Sequence, residues 1–135
     1  MTLSTIGLLI IRAILGLTLA AHGSQKLFGW FGGYGIKGTG GWFESIGVKP
    51  GALFAFLAGA GELFSGIGIA VGFLTPVSAA VMVLVMLVAI ATVHLKKGFW
   101  GTNGGYEFNL LIIAAAVALG LAGPGAWSID AIIFK

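Results

Sequence analysis

Cysteine is absent from this 135-residue chain. That excludes disulfides, thiolate metal sites, covalently attached c-type haem and any Cys-x-x-Cys redox pair, so electrons handled here must ride on a borrowed carrier. Charge is nearly as scarce: Asp, Glu, Lys and Arg make up 8% of the residues and hydrophobic residues 59%. An average soluble domain is about 25% charged, so a water-soluble fold of this composition would be hard to keep in solution. The formal net charge is +3, yet most of the basic residues lie in segments between apolar runs, with no basic helix and no RNA-binding signature. Nucleic acid is therefore not an expected partner. Flavin and nicotinamide fingerprints are also missing.

What the chain has instead is long apolar runs, near residues 3–22, 52–72, 76–94 and 106–121. Each approaches the roughly 17–25 residues that a helix needs to cross a bilayer. The expected fold is all-α: a single polytopic membrane domain over residues 1–135, built as a four-helix bundle in the lipid bilayer. Local chemistry marks the helix starts: Pro50-Gly51, Thr75-Pro76 and Asn103-Gly104-Gly105. The valine-rich third run is read as helix on its length. The first run ends in Leu19-Ala20-Ala21, as a secretory signal might, but Arg12 sits in its middle, so a retained helix is expected. Small residues four apart, such as Gly16 with Ala20 and Gly68 with Gly72, predict close helix contacts.

Four spans sort the polar residues by membrane face. The two long connections share one face, which collects His22, Lys26, Lys37, Glu44, Lys49, His94, Lys96, Lys97, Glu107 and Asn109; the other face receives Asp130 and Lys135. Counting Lys and Arg puts the long connections in the cytoplasm and the termini outside, in a cell inner membrane. Arg12 and Glu62 lie inside apolar runs at similar distances from the loop face, about 15 Å at 1.5 Å per residue. They are predicted to pair, because an ionisable group at membrane depth costs at least about 2.5 kcal/mol when left alone.

His22, Phe28-Gly29 and Gly32-Gly33-Tyr34 recur as His94, Trp100-Gly101 and Gly104-Gly105-Tyr106, each pair 72 positions apart. Such an internal repeat would set both histidines, with Glu107, around one site on the loop face. Within the first connection, Thr39 to Pro50 carries Trp42, Phe43 and Ile46 on one side of a short interfacial helix. Together with Trp30 and Trp100 these aromatics form either membrane anchors or a stacking surface for a flat ligand.

Arg12 and Gly16, Gly23-Ser24-Gln25-Lys26-Leu27, the loop from Gly32-Gly33-Tyr34-Gly35 to Phe43, Gly61-Glu62-Leu63 with Gly66 and Gly72, Pro76, and Asn103 to Leu110 resemble the DoxX family over nearly the whole chain. The resemblance implies four-helix inner-membrane proteins related to the DoxD/DoxX membrane subunits of a thiosulfate:quinone oxidoreductase, often described as oxidoreductases. On that footing the expected activity is a quinone-associated redox component working with a partner protein as electron donor. His22, Lys26, Glu62, His94 and Glu107 would supply hydrogen bonds and protons, and Arg12, Trp30, Trp100 and Asn109 would hold the ligand. Haem between His22 and His94 ranks below quinone, and no metal site is expected. Two other classes stand beside this one: a small proton-coupled transporter using Glu62, as a homo-oligomer, and a non-catalytic assembly partner.

Overall fold

The computed structural model describes residues 2–135, and helices account for nearly all its regular structure. The order is α1 (Leu3–Phe28), α2 (Gly35–Ser45), α3 (Gly51–Val71), α4 (Thr75–Ala89), α5 (Glu107–Ala122) and α6 (Ile129–Ile133). One core gathers Leu19 of α1, Ile69 of α3, Met82 and Met86 of α4, and Ile112, Ala116 and Leu119 of α5. The outward faces are equally apolar: Ile14 is 68% exposed and Leu111 69%. A surface that greasy belongs in lipid, and three helical stretches, Leu3–Phe28, Gly51–Val71 and Thr75–Lys97, are long and apolar enough to cross a membrane. Helix α5 is apolar but shorter.

The starts of the apolar runs agree with the helices to within a residue or so, but the end of the first does not. Helix α1 continues past His22 to Phe28 and stops only at Gly29, whose left-handed backbone (φ 75°) turns its N–H onto the Gln25 carbonyl. Polar Gly23-Ser24-Gln25-Lys26 does not break the helix, because Gly23 packs on the facing α3, Ser24 Oγ bonds the Ala20 carbonyl, Gln25 Nε2 donates to the Phe31 carbonyl and Lys26 reaches a carboxylate on α3. Helix α4 also runs on, through a π turn over Ile90–His94 and a 3₁₀ turn over Leu95–Lys97.

Helix α2 begins four residues earlier than expected. It buries Thr39, Gly40 and Phe43, whereas Trp42 and Ile46 are 45% and 41% exposed, so the three apolar residues do not share one side. The 72-residue offset reaches element starts, Leu3 with Thr75 and Gly35 with Glu107, and Gly32 and Gly104 share a φ of 78°. It stops there: α2 has 11 residues and α5 has 16.

Candidate functional site

Helices α1 and α3 run antiparallel with their backbones in contact. Gly16 lies against Gly66 and Ala70, and Gly23 against Gly59 and Leu63, so a Cβ at either glycine would collide with main-chain atoms. This glycine seam gives the dispersion contacts that hold helices together in lipid. It also fixes which residues of α1 and α3 are level with one another.

At the loop end of the seam, Lys26 Nζ sits 2.9 Å from Glu62 Oε1 and 3.2 Å from Oε2. This is the single salt bridge among the described residues. The Glu62 side chain is 6% exposed and that of Lys26 25%, so the carboxylate is enclosed while the ammonium still reaches the loop side. Charge-assisted bonds to both oxygens make the pair strong, and the partly exposed ammonium keeps it open toward the loop face.

Arg12 does not meet Glu62, which corrects the predicted pair. Its Nε and one terminal nitrogen donate to the carbonyls of Ile69 and Ala70, and its other terminal nitrogen donates to those of Pro124 (2.8 Å) and Trp127 (2.9 Å). On the seam, Arg12 is level with the end of α3, whereas Glu62 is about ten residues, roughly 15 Å, further along. The prediction ended α1 at His22, six residues short of Phe28, and so set Arg12 too close to the loop face. Arg12 bonds two last-turn carbonyls of α3, that of Ala70 and that of Ile69, which also accepts from Gly72 N, at the negative end of the helix dipole.

A residue not singled out from the sequence completes that end. Asp130, at the start of α6, accepts from Leu74 N (2.6 Å), Thr75 N (2.8 Å) and Thr75 Oγ1 (2.8 Å). It thereby caps the first turn of α4, where the helix dipole favours an anion, and it holds Leu74 in a left-handed conformation (φ 45°). The partners lie 55 and 56 positions away, so no local pattern announces them; Ser128 two residues before Asp130 is the one signal, that of a helix start.

The remaining candidates fall in four places. The imidazole of His22, one turn before Lys26 on α1, has its centroid 6.1 Å from that of Phe108 on α5. His94 Nδ1 lies 2.7 Å from the Gly104 carbonyl oxygen, so that nitrogen carries the hydrogen. Glu107 Oε1 accepts from Gly101 N at 2.8 Å; these two bonds fold the second connection back on itself, and among the described residues no hydrogen bond or ion pair joins either residue to His22. Asn109 is buried, its Nδ2 3.5 Å from Met86 Sδ. Trp30 packs on Phe28 and Trp100 edge-on to Phe99, both largely exposed. Among the described residues no three His, Asp or Glu side chains gather where one metal ion would reach them.

The geometry thus brings together Lys26 and Glu62, with His22 adjoining, and leaves the other candidates dispersed. An ammonium held against a buried carboxylate suits a ligand carbonyl or hydroxyl that must gain or lose a proton at the membrane edge. The DoxX family model matches residues 7–95. A Bacillus subtilis protein named "Putative oxidoreductase CatD" is 32% identical over 130 residues, covering 96% of this chain and 89% of its own length. "Uncharacterized membrane protein Rv3486" of Mycobacterium tuberculosis is 31% identical over 130 residues, covering 89% of this chain and 77% of its own. No solved structure matches.

Proposed function

Because this chain belongs to the DoxX family, we propose that it is a membrane redox component in which a quinone receives electrons from a partner protein and protons by way of Lys26 and Glu62. The enclosed Lys26–Glu62 pair carries the reading. The glycine seam already binds α1 to α3, so an ion pair that must be desolvated is a costly way to add adhesion. Its value lies in chemistry. Reduction of a quinone to its hydroquinone consumes two electrons and two protons; the electrons come from a reduced flavin or iron–sulfur carrier on the partner, and the protons enter from water at the loop face.

Lys26 is placed to donate a hydrogen bond to a ligand oxygen and to pass it a proton, which water at the loop face restores, while Glu62 holds the ammonium in position. The name borne by the Bacillus subtilis relative agrees with an oxidoreductase class. In this reading α5 is the fourth span of an inner-membrane bundle, the lysine-rich connections face the cytoplasm and the termini lie outside.

The test is extraction of the protein in mild detergent, followed by lipid-extract chromatography and an ultraviolet–visible spectrum. Near-stoichiometric quinone in the wild type, lost in Lys26→Met and Glu62→Gln variants that remain folded, supports the proposal. A protein that neither retains nor rebinds quinone, and instead moves protons with a solute in proteoliposomes, overturns it and assigns the pair to transport.

A further inference from the structure

We propose that the ring of that quinone binds on the flank of α1, in a groove open sideways to the lipid. Leu17, Thr18, Ala21, His22 and Gln25 line this groove, whose volume is about 340 Å³. The inference rests on the redox reading above and adds where the ligand sits and from which side it arrives.

Thr18, His22 and Gln25 follow one another at spacings of four and three, so they share one face of α1. Among the described residues neither Thr18 Oγ1 nor either His22 ring nitrogen has a hydrogen-bond partner, although Ser24 and Thr92 both bond the carbonyl four residues back. Gln25 spends its Nε2 on the Phe31 carbonyl at 3.2 Å, which leaves its side-chain oxygen available. Three hydrogen-bonding groups therefore line one flank of a helix that otherwise shows Ile10, Ile14 and Leu17 to lipid. In hydrocarbon each unpaired group is expensive, and the arrangement becomes favourable when a ligand supplies the missing partners.

The shape and chemistry narrow the ligand. Leu17 and Ala21 provide an apolar floor, and the His22 ring at its edge is backed by the Phe108 ring, 6.1 Å away between centroids. A flat ring bearing oxygens that accept hydrogen bonds when oxidised and donate them when reduced matches the Thr18 hydroxyl and the His22 imidazole, which work in both directions, and the Gln25 oxygen, which accepts from the reduced ring. Lys26 lies one turn beyond His22, next to the groove and toward the loop face. The larger groove between α4 and α5, about 450 Å³, is lined by Pro76, Val83, Leu84 and other apolar residues without a polar side chain; it has nothing with which to orient an oxygen.

The experiment uses the full chain in nanodiscs and an azido-benzoquinone photoprobe, with decylubiquinone as competitor and labelled peptides located by mass spectrometry. The expected result is label within residues 17–25, displaced by decylubiquinone, with Thr18→Val and His22→Phe each weakening competition about tenfold. Leu84→Phe, in the α4–α5 groove, should leave binding unchanged. Label confined to α4, α5 or the connections, with Thr18→Val and His22→Phe behaving as wild type, overturns the groove and leaves the redox reading standing. Wild-type protein that takes no displaceable label overturns both. Loss of a wild-type dimer in His22→Phe, with labelling intact, reassigns this flank to a second copy of the chain and overturns the proposal.

Discussion

Arg12 and Asp130 clasp opposite sides of one turn: the guanidinium donates to the last carbonyls of α3, and the carboxylate accepts the first N–H groups of α4. Cation and anion each stand where the adjoining helix dipole favours them. The short link between the helices, which is only Gly72 to Leu74, is therefore held from both ends by residues remote in sequence.

Arg12→Gln should lower stability by about 3 kcal/mol, since buried carbonyls robbed of a donor cost about 1–3 kcal/mol each. Arg12→Lys should recover little of this, because one ammonium cannot span four carbonyls as a planar guanidinium does. Denaturant titration in detergent micelles measures both. Wild-type stability in Arg12→Gln would remove the residue from this role.

Acid should weaken the same turn through Asp130. Burial pushes its carboxyl pKa up, but hydrogen bonds from the Thr75 N–H, the Thr75 hydroxyl and the Leu74 N–H, with the positive charge of Arg12, outweigh burial and hold it below the ordinary value of 3.8. A folded pKa below the unfolded one means that the stabilisation is complete above the unfolded value and lost as pH falls through the folded value. The thermal midpoint should therefore drop below about pH 4. Asp130→Asn should be less stable at pH 7 by about 1 kcal/mol and show a shallower acid decline. An unchanged acid limb in that variant would locate the sensitivity elsewhere.

Glu62→Gln should impair activity far more than Lys37→Ala or Lys49→Ala, whose exposed side chains form no ion pair. Folding must be read separately. Lys26→Met alone should cost about 2 kcal/mol, less than for a fully dry pair because Lys26 keeps contact with water. Lys26→Met combined with Glu62→Leu should regain most of that loss while remaining inactive. Recovery of activity in the double variant would make the pair a structural tie.

Gly23→Leu should destabilise the α1–α3 seam by about 1–3 kcal/mol, as overpacking does elsewhere, because its Cβ would strike the backbone around Gly59 and Leu63. Gly7 lies on the same helix with open space around it, so Gly7→Ala should be neutral or stabilising by about 0.5–1 kcal/mol. Comparable losses at both positions would mean that helix propensity, not close approach, governs the effect.

How far the sequence discloses this molecule depends on distance along the chain. Apolar runs and Thr75-Pro76 are local signals, and they locate α3 and the start of α4 closely. The end of α1 is misjudged because Gly23 to Lys26 looks like a loop; only the facing α3 shows that the glycine packs and the lysine pairs. That misreading shifts Arg12 along the helix and so pairs it with Glu62 in place of four carbonyls. Lys26 and Glu62 are both visible as charges near apolar runs, but their partnership follows from the α1–α3 register. The Asp130 cap is invisible to any local pattern, since its partners lie more than fifty positions away. His94 and Glu107 stand out by residue type, yet both are engaged in closing the second connection.

Unequal helix lengths have a consequence for the bilayer itself. Helix α1 has 26 residues and α5 has 16, about 39 Å and 24 Å at 1.5 Å per residue, against a hydrocarbon core of about 30 Å. Taken as the fourth span, α5 offers lipid an apolar wall about 6 Å too short, so the leaflets must pinch inward beside it or the bundle must tilt. Such mismatch is graded by acyl-chain length. Shorter lipids relieve it, longer lipids impose it, and bilayer thickness thereby sets how far water stands from the side of α1 that adjoins Phe108.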